Sequence, residues 1–211
     1  KLLGRYTLVV PVGTGAVGTV WRAWDGELRR WVAVKRPQDP VSEPQRQRFL
    51  REARILAGLR HANLVTMYDV GEHQGRPYLV MELVNGAALR PARDLRATAD
   101  ILRKIALALH EVHRQGVVHR DVKPDNIVVE EGGEPRLVDF GIAMVSDSAG
   151  LTRTGTTMGT PLYMSPEQVG PKFGEISART DVYALGAILF QALAGRPPHV
   201  GATPGEIHAK I

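Results

Sequence analysis

The chain has 211 residues, of which 44% are apolar and 23% charged, with a formal net charge of +5 and no cysteine. That length suits one large domain or two small lobes, and it can bury a real core. The absent cysteines exclude a disulfide scaffold and any thiolate metal site. No apolar run approaches the about 18 residues needed to cross a bilayer, and no secretion signal opens the chain. The basic residues are scattered and not interleaved with aromatics, so the charge reads as a solvated surface rather than a nucleic-acid site.

In chain order, Thr7–Pro11 is β-rich and runs into a glycine cluster, Gly13-Thr14-Gly15-Ala-Val-Gly18. Period-two patterns over Thr19–Trp24 and Trp31–Lys35 predict two further strands. After a loop at Pro37–Pro44, Gln45–Leu59 carries Phe49, Leu50, Ala53, Ile55 and Leu56 as the apolar face of a helix. Val65–Glu72 and Pro77–Leu83 read as strands, and a turn at Gly86 closes this β-rich segment. Asp94–Gln115 has helical apolar spacing and is stopped by Gly116. Short strand-like pieces follow at Val117–Val118, Ile127–Val129 and Arg136–Val138. Ser146–Thr160 is a polar loop, and Asp181–Leu193 reads as a buried apolar helix. The β-rich beginning and α-rich end suggest two lobes with a cleft between them, joined near Glu82–Gly86.

Four motifs carry chemistry. The pattern Gly13-x-Gly15-x-x-Gly18-x-Val20 lets backbone N–H groups approach phosphate. A dinucleotide-binding fold uses the same spacing but needs a helix at the third glycine, whereas a strand follows here. Lys35 ends the apolar run Val32-Ala33-Val34, 17 residues after Gly18, and Glu52 lies 17 residues further on. A Lys35–Glu52 pair would hold the ammonium on phosphates, although an i,i+4 pair of Glu52 with Arg48 is the commoner use of such a residue. The run His119-Arg120-Asp121-Val122-Lys123-Pro124-Asp125-Asn126 is the most specific. Asp121 can orient a hydroxyl and accept its proton, Lys123 can neutralise a transferring phosphoryl group, and Asn126 offers an oxygen to a divalent metal. Asp139-Phe140-Gly141 follows 13 residues after Asn126 and supplies a second metal ligand in Asp139.

Together these collinear motifs resemble the eukaryotic-type protein kinase family, from about Tyr6 to Gly195. The segment Gly159-Thr-Pro-Leu-Tyr-Met-Ser-Pro-Glu167 is most similar to that of bacterial serine/threonine kinases. The resemblance implies an α+β, bilobal fold. Residues 1–84 would form an N-lobe of five strands and one helix, with a hinge at 82–86, and 85–211 a mostly helical C-lobe lacking the family's last helices. It implies an enzyme that transfers the γ-phosphate of ATP to protein Ser/Thr hydroxyls, using Mg²⁺ or alternatively Mn²⁺. A pseudokinase or ATP-binding scaffold is the alternative, but Lys35, Asp121, Asn126 and Asp139 are all present.

By the same resemblance, Asp121 is the catalytic base and Lys123, Lys35 and Glu52 support it, while Asn126 and Asp139 bind metal. Gly13, Thr14, Gly15, Gly18, Val20, Ala33, Lys35, Met81, Glu82, Val84 and Val128 contact ATP, with Met81 as gatekeeper. Leu56, Met67, His119 and Phe140 match the family's apolar column. Arg120 beside Asp121 implies control by activation-loop phosphorylation, with Thr152 and Thr154 as the expected sites, and Thr160 belongs to the substrate loop. Glu167 is expected to meet an arginine from beyond residue 211. The stretch Gly86–Asp94 is short, so the helix that follows the hinge in this family is expected to be stunted or missing. Expected partners are ATP, protein substrates and a second copy for trans-autophosphorylation, with no nucleic acid and no membrane contact from this segment. The expected location is cytoplasmic, either free or as the cytoplasmic part of a membrane-anchored receptor kinase.

Overall fold

The computed structural model describes residues 2–15, 18–37, 42–90, 94–140 and 161–211. They divide into two compact units. The first comprises 2–60 and 65–83, and the second 61–64, 84–140 and 161–211.

The first unit is built on β1 (Leu2–Leu3), β2 (Tyr6–Gly15), β3 (Gly18–Asp25), β4 (Arg30–Arg36), α1 (Glu43–Ala57), β5 (Met67–His73) and β6 (Arg76–Glu82). The sheet order is β1-β2-β3-β4-β6-β5, with every pairing antiparallel. It has six strands rather than the five read from the sequence, because Leu2–Leu3 pairs with the start of β2. Alternation then sorts the side chains by face. Val32 and Val34 join Leu3, Tyr6, Leu8, Ala23, Tyr78 and Val80 in a buried cluster on one face. Residues opposed in the ladder share a face. The pairs Gly13↔Val20, Val20↔Lys35 and Ala33↔Met81 therefore place Gly13, Val20, Ala33, Lys35 and Met81 together on the other.

Helix α1 begins two residues before the expected Gln45. Pro44 sits in its first turn, where the missing N–H costs no helical bond. Gln45 Oε1 accepts from the Ser42 backbone N–H at 2.9 Å, closing the N-terminus. Phe49, Ala53 and Leu56 form its buried face, which packs on β5 and β6. Glu52 lies three residues after Phe49 and four before Leu56, so it shares that stripe.

The second unit contains β7 (Ala87–Ala88), α2 (Leu95–Arg114), β8 (Ile127–Val129), β9 (Pro135–Leu137), α3 (Pro166–Val169), α4 (Ala178–Ala194) and α5 (Pro204–His208). A small antiparallel sheet runs β7-β8-β9. Asp94 caps α2, its carboxylate accepting from the Ala97 N–H at 3.0 Å. Leu102, Ile105, Leu109 and Val112 are buried along α2, which packs against α4. The described residues from Val84 to Asp94 hold β7 and no helix, as the short spacing implied.

Two expectations change. Val117–Val118 is not a strand. Its backbone turns off the end of α2, with the Val117 N–H bonded to Val112 O at 3.3 Å, so no ladder partner is needed. Helix α4 is not buried all round. Thr180, Asp181, Ala184, Ala187 and Ile188 are buried, but Val182 and Leu193 are 61% and 63% exposed. Its apolar composition therefore exceeds what its neighbours among the described residues cover.

Candidate active site

In the second unit, the His119–Asn126 loop is held from outside by Asp181, in the first turn of α4. The Asp181 carboxylate accepts the backbone N–H of His119 and of Arg120, each at 2.9 Å, and contacts His113 Nε2 at 2.7 Å. Asp181 is 1% exposed. Burial alone would raise its pKa, but the bonds from His113 and the two N–H groups outweigh that and hold it below the usual carboxylate range.

The clamp matters because Arg120 has φ +67°, a left-handed conformation that non-glycine residues seldom adopt. Gln168 Nε2 donates to the Arg120 carbonyl at 2.7 Å, so both sides of the strained peptide are tied down. Asp139 has φ +61°. Such strain persists only where surroundings over-determine it, and it clusters at functional sites.

His119 is fully buried, and its hydrogen bonds define its tautomer. Nε2 lies 3.3 Å from the Val138 carbonyl and must donate. Nδ1 accepts the Asp121 N–H at 3.3 Å. The neutral ring satisfies both, and a protonated ring would lose the second. Burial pushes the His119 pKa down, against the opposing pull of the Asp181 and Asp121 carboxylates. The ring also packs on Phe140, with centroids 4.7 Å apart.

These directions give a pH expectation. The unfolded chain protonates His119 near the ordinary value of about 6.5, before the folded chain does. Stability is therefore full above that value and falls on acidification toward the folded pKa. Asp181, whose folded pKa is depressed, adds stability above about 3.9 that is lost as pH falls through its folded pKa. Thermal midpoints should fall between pH 7.5 and 5, and His119→Phe should flatten that slope. An unchanged slope in the variant would contradict the assignment.

Within the clamped loop, Asp121 is the focus. Lys123 Nζ donates to its two carboxylate oxygens at 3.0 and 2.7 Å. Asn126 Nδ2 donates to the same carboxylate at 2.9 Å and to the Asp121 carbonyl at 2.7 Å. Both Asn126 bonds use Nδ2, which leaves the amide oxygen as its remaining acceptor. The Val138 N–H bonds to Asn126 O at 2.8 Å, which ties the residue before Asp139 to the metal-ligand candidate Asn126. Two hard oxygen donors suit a magnesium ion that takes its remaining ligands from phosphates and water. Among the described residues no three His, Asp or Glu form an all-protein metal cage. Val128, on β8, is half-buried, and Val84 is half-buried at the start of this unit.

In the first unit, the Gly13–Gly18 cluster is the tip of the β2–β3 hairpin, with Gly15 opposite Gly18 and Thr14 exposed. Gly18 has φ +151°, and a Cβ there would collide with the Arg36 carbonyl, so the tip tolerates no side chain at this position. Lys35 is 4% exposed, and Glu52 is half-buried on α1. Ala33 and Met81 are buried, as are Leu56 and Met67. Glu82, half-buried, accepts the Thr66 N–H at 3.3 Å through its side chain. Thr152, Thr154, Thr160 and Gly141 lie outside the described residues.

Glu167 accepts from Thr180 Oγ1 at 2.6 Å; the arginine expected to meet it would come from beyond residue 211. Sequence reasoning missed Asp181, His113 and Gln168 as loop supports. The available signal was Asp181 itself, a lone carboxylate heading an apolar helix.

A family model for the protein kinase domain matches residues 6–211. The chain therefore belongs to the protein kinase domain family. It is 44% identical over 95% of its length to the DNA damage-responsive serine/threonine-protein kinase RqkA of Deinococcus radiodurans, covering 31% of that protein. It is 42% identical over 95% of its length to the serine/threonine-protein kinase PknA of Mycobacterium tuberculosis, covering 49% of it. The chain thus spans about a third to a half of the length of these relatives. A solved structure described as the apo form of PpkA-294 matches with a TM-score of 0.72 at 26% identity, over 94% of this chain and 78% of that one. The α+β kinase fold and the bacterial serine/threonine-kinase resemblance read from the motifs are both borne out.

Proposed function

We propose that the chain is the catalytic domain of a serine/threonine protein kinase that transfers the γ-phosphate of ATP to protein hydroxyls. The observation that carries this is the Asp121 carboxylate, held between Lys123 and Asn126 on a loop clamped by Asp181. A substrate hydroxyl delivered to Asp121 is oriented for in-line attack and gives up its proton there. Lys123, already at the carboxylate, offsets charge on the transferring group. Asn126 and Asp139 would hold Mg²⁺, or Mn²⁺ in its place. The metal, when bound, neutralises charge developing on the phosphate oxygens.

In the first unit, Gly13, Thr14, Gly15 and Gly18 would supply phosphate-binding backbone. Lys35, supported by Glu52, would supply a cation for the same triphosphate. Val20, Ala33 and Met81 share a sheet face suited to an adenine ring, with Glu82 as a backbone partner. In the second unit, Val84 and Val128 would contact the nucleotide. The first unit corresponds to the N-lobe and the second to the C-lobe of this reading. Autophosphorylation at Thr152 and Thr154, through a transient second copy, would regulate the domain, with Thr160 meeting the substrate. Among the described residues no helix is long and apolar enough to cross a membrane, and the proposed location of the domain is the cytoplasm.

The choice of hydroxyl is tested by phosphoamino-acid analysis after incubation with γ-labelled ATP, Mg²⁺ and a mixed protein acceptor. Label on serine and threonine is expected. Label predominantly on tyrosine would overturn the assignment.

A further inference from the structure

Gln168 uses both ends of its amide. Its Oε1 accepts the Ser165 backbone N–H at 3.2 Å and the Ser165 hydroxyl at 3.4 Å, which closes the N-terminus of α3 as a capping box. Its Nε2 donates to the Arg120 carbonyl at 2.7 Å. The partners fix which end is which, because a backbone N–H can only donate and a carbonyl can only accept. The cap itself requires only an oxygen, and glutamate supplies one as well as glutamine does. In α1 the same box is closed by Gln45 through Oε1, and there the glutamine is exposed. What glutamine adds at position 168 is the donor end.

The Arg120 carbonyl belongs to the peptide that joins Arg120 to Asp121. The N–H of that same peptide donates to His119 Nδ1 at 3.3 Å. The preceding peptide is held by Asp181, which accepts the Arg120 N–H at 2.9 Å. Arg120, left-handed at φ +67°, is thus gripped through both flanking peptides, and rotation of the second would swing Asp121 away. Glu167, next to Gln168, accepts from Thr180 Oγ1 at 2.6 Å, and Thr180 is next to Asp181. Two adjacent residues of α3 and two adjacent residues of α4 therefore close one ring through Arg120.

We propose that Gln168 is a positioning residue for phosphoryl transfer, its Nε2 holding the Arg120–Asp121 peptide in the plane that presents the Asp121 carboxylate to a substrate hydroxyl. The role rests on the assignment of transfer to Asp121. A residue of this kind acts through geometry alone, and displacing a catalytic group by about 1 Å can cost about 100-fold in rate. Glutamate at 168 keeps the cap through one oxygen and turns the other toward the Arg120 carbonyl, where two acceptors must part. Lysine loses the cap and keeps a donor for the carbonyl. The two substitutions separate helix capping from loop positioning.

The test compares Gln168→Glu and Gln168→Lys with wild type in phosphoryl transfer from ATP to a protein acceptor and in amide hydrogen exchange. Gln168→Glu is expected to lower kcat about ten-fold or more, with the KM for ATP within about two-fold of wild type. It should also speed exchange at the Arg120 and Asp121 amides, as local loosening does. Gln168→Lys should keep kcat within about three-fold of wild type and leave that exchange unchanged. Gln168→Met, with neither donor nor charge, should follow the glutamate variant in rate. With an active wild type, unchanged transfer in Gln168→Glu, or equal losses in the glutamate and lysine variants, would overturn the role alone. A wild-type chain that transfers no phosphate would overturn the reading on which the role rests.

Discussion

Asp121→Asn is expected to lower the rate of phosphoryl transfer by about 10²- to 10⁴-fold, the range of a lost general base, while ATP affinity stays within a few-fold of wild type. The carboxylate is the shared acceptor for Lys123 Nζ and Asn126 Nδ2. An amide at this position presents one oxygen where the carboxylate presents two. Its NH₂ then faces a donor, so Lys123 or Asn126 must turn away. The substitution therefore removes the proton acceptor and also disturbs the cation and the metal ligand around it. The groups proposed to bind nucleotide in the first unit are untouched, which is why binding and transfer should separate. Single-turnover transfer rates alongside equilibrium ATP titration measure the two quantities. Transfer within about ten-fold of wild type would remove Asp121 from the assigned role.

Asp181→Ala should cost about 3–5 kcal/mol, the penalty for breaking a buried charged interaction. Domains are stable by only about 5–15 kcal/mol. One carboxylate satisfies the backbone N–H groups of His119 and Arg120 and contacts His113. Alanine leaves both N–H groups unpaired in a buried place, next to a peptide already in a left-handed conformation. The loop should relax toward ordinary backbone angles and carry Asp121 with it, so activity falls along with stability. For a chain of this size the expected drop in thermal midpoint is about 10 °C. Asp181→Asn keeps an acceptor oxygen and should lose less. A midpoint within 2 °C of wild type in the alanine variant would show that the clamp contributes little.

The sequence revealed the chemistry of the site more fully than its support. Asp121, Lys123 and Asn126 are legible because they crowd into six residues around Pro124, and the structure brings them within hydrogen-bond distance. The glycine hairpin was legible because a period-two pattern follows Gly18 where a dinucleotide fold would need a helix. Asp181 was not legible as a clamp, since it lies about 60 residues from the loop it holds and local patterns carry no information at that separation. Val117–Val118 misled for the opposite reason. Two β-branched residues have strand propensity, but their backbone is committed to the end of α2 and to the loop that follows. The apolar run in α4 was read as burial, whereas composition reports only that a face can be covered and not that described neighbours cover it.

Intact-mass spectrometry after incubation with ATP and Mg²⁺ tests the central claim most directly, with wild type and Asp121→Asn compared side by side. Stepwise additions of phosphate to the wild-type chain alone are the predicted result. An unmodified wild-type chain, or equal modification of both, would contradict the assignment of phosphoryl transfer to Asp121.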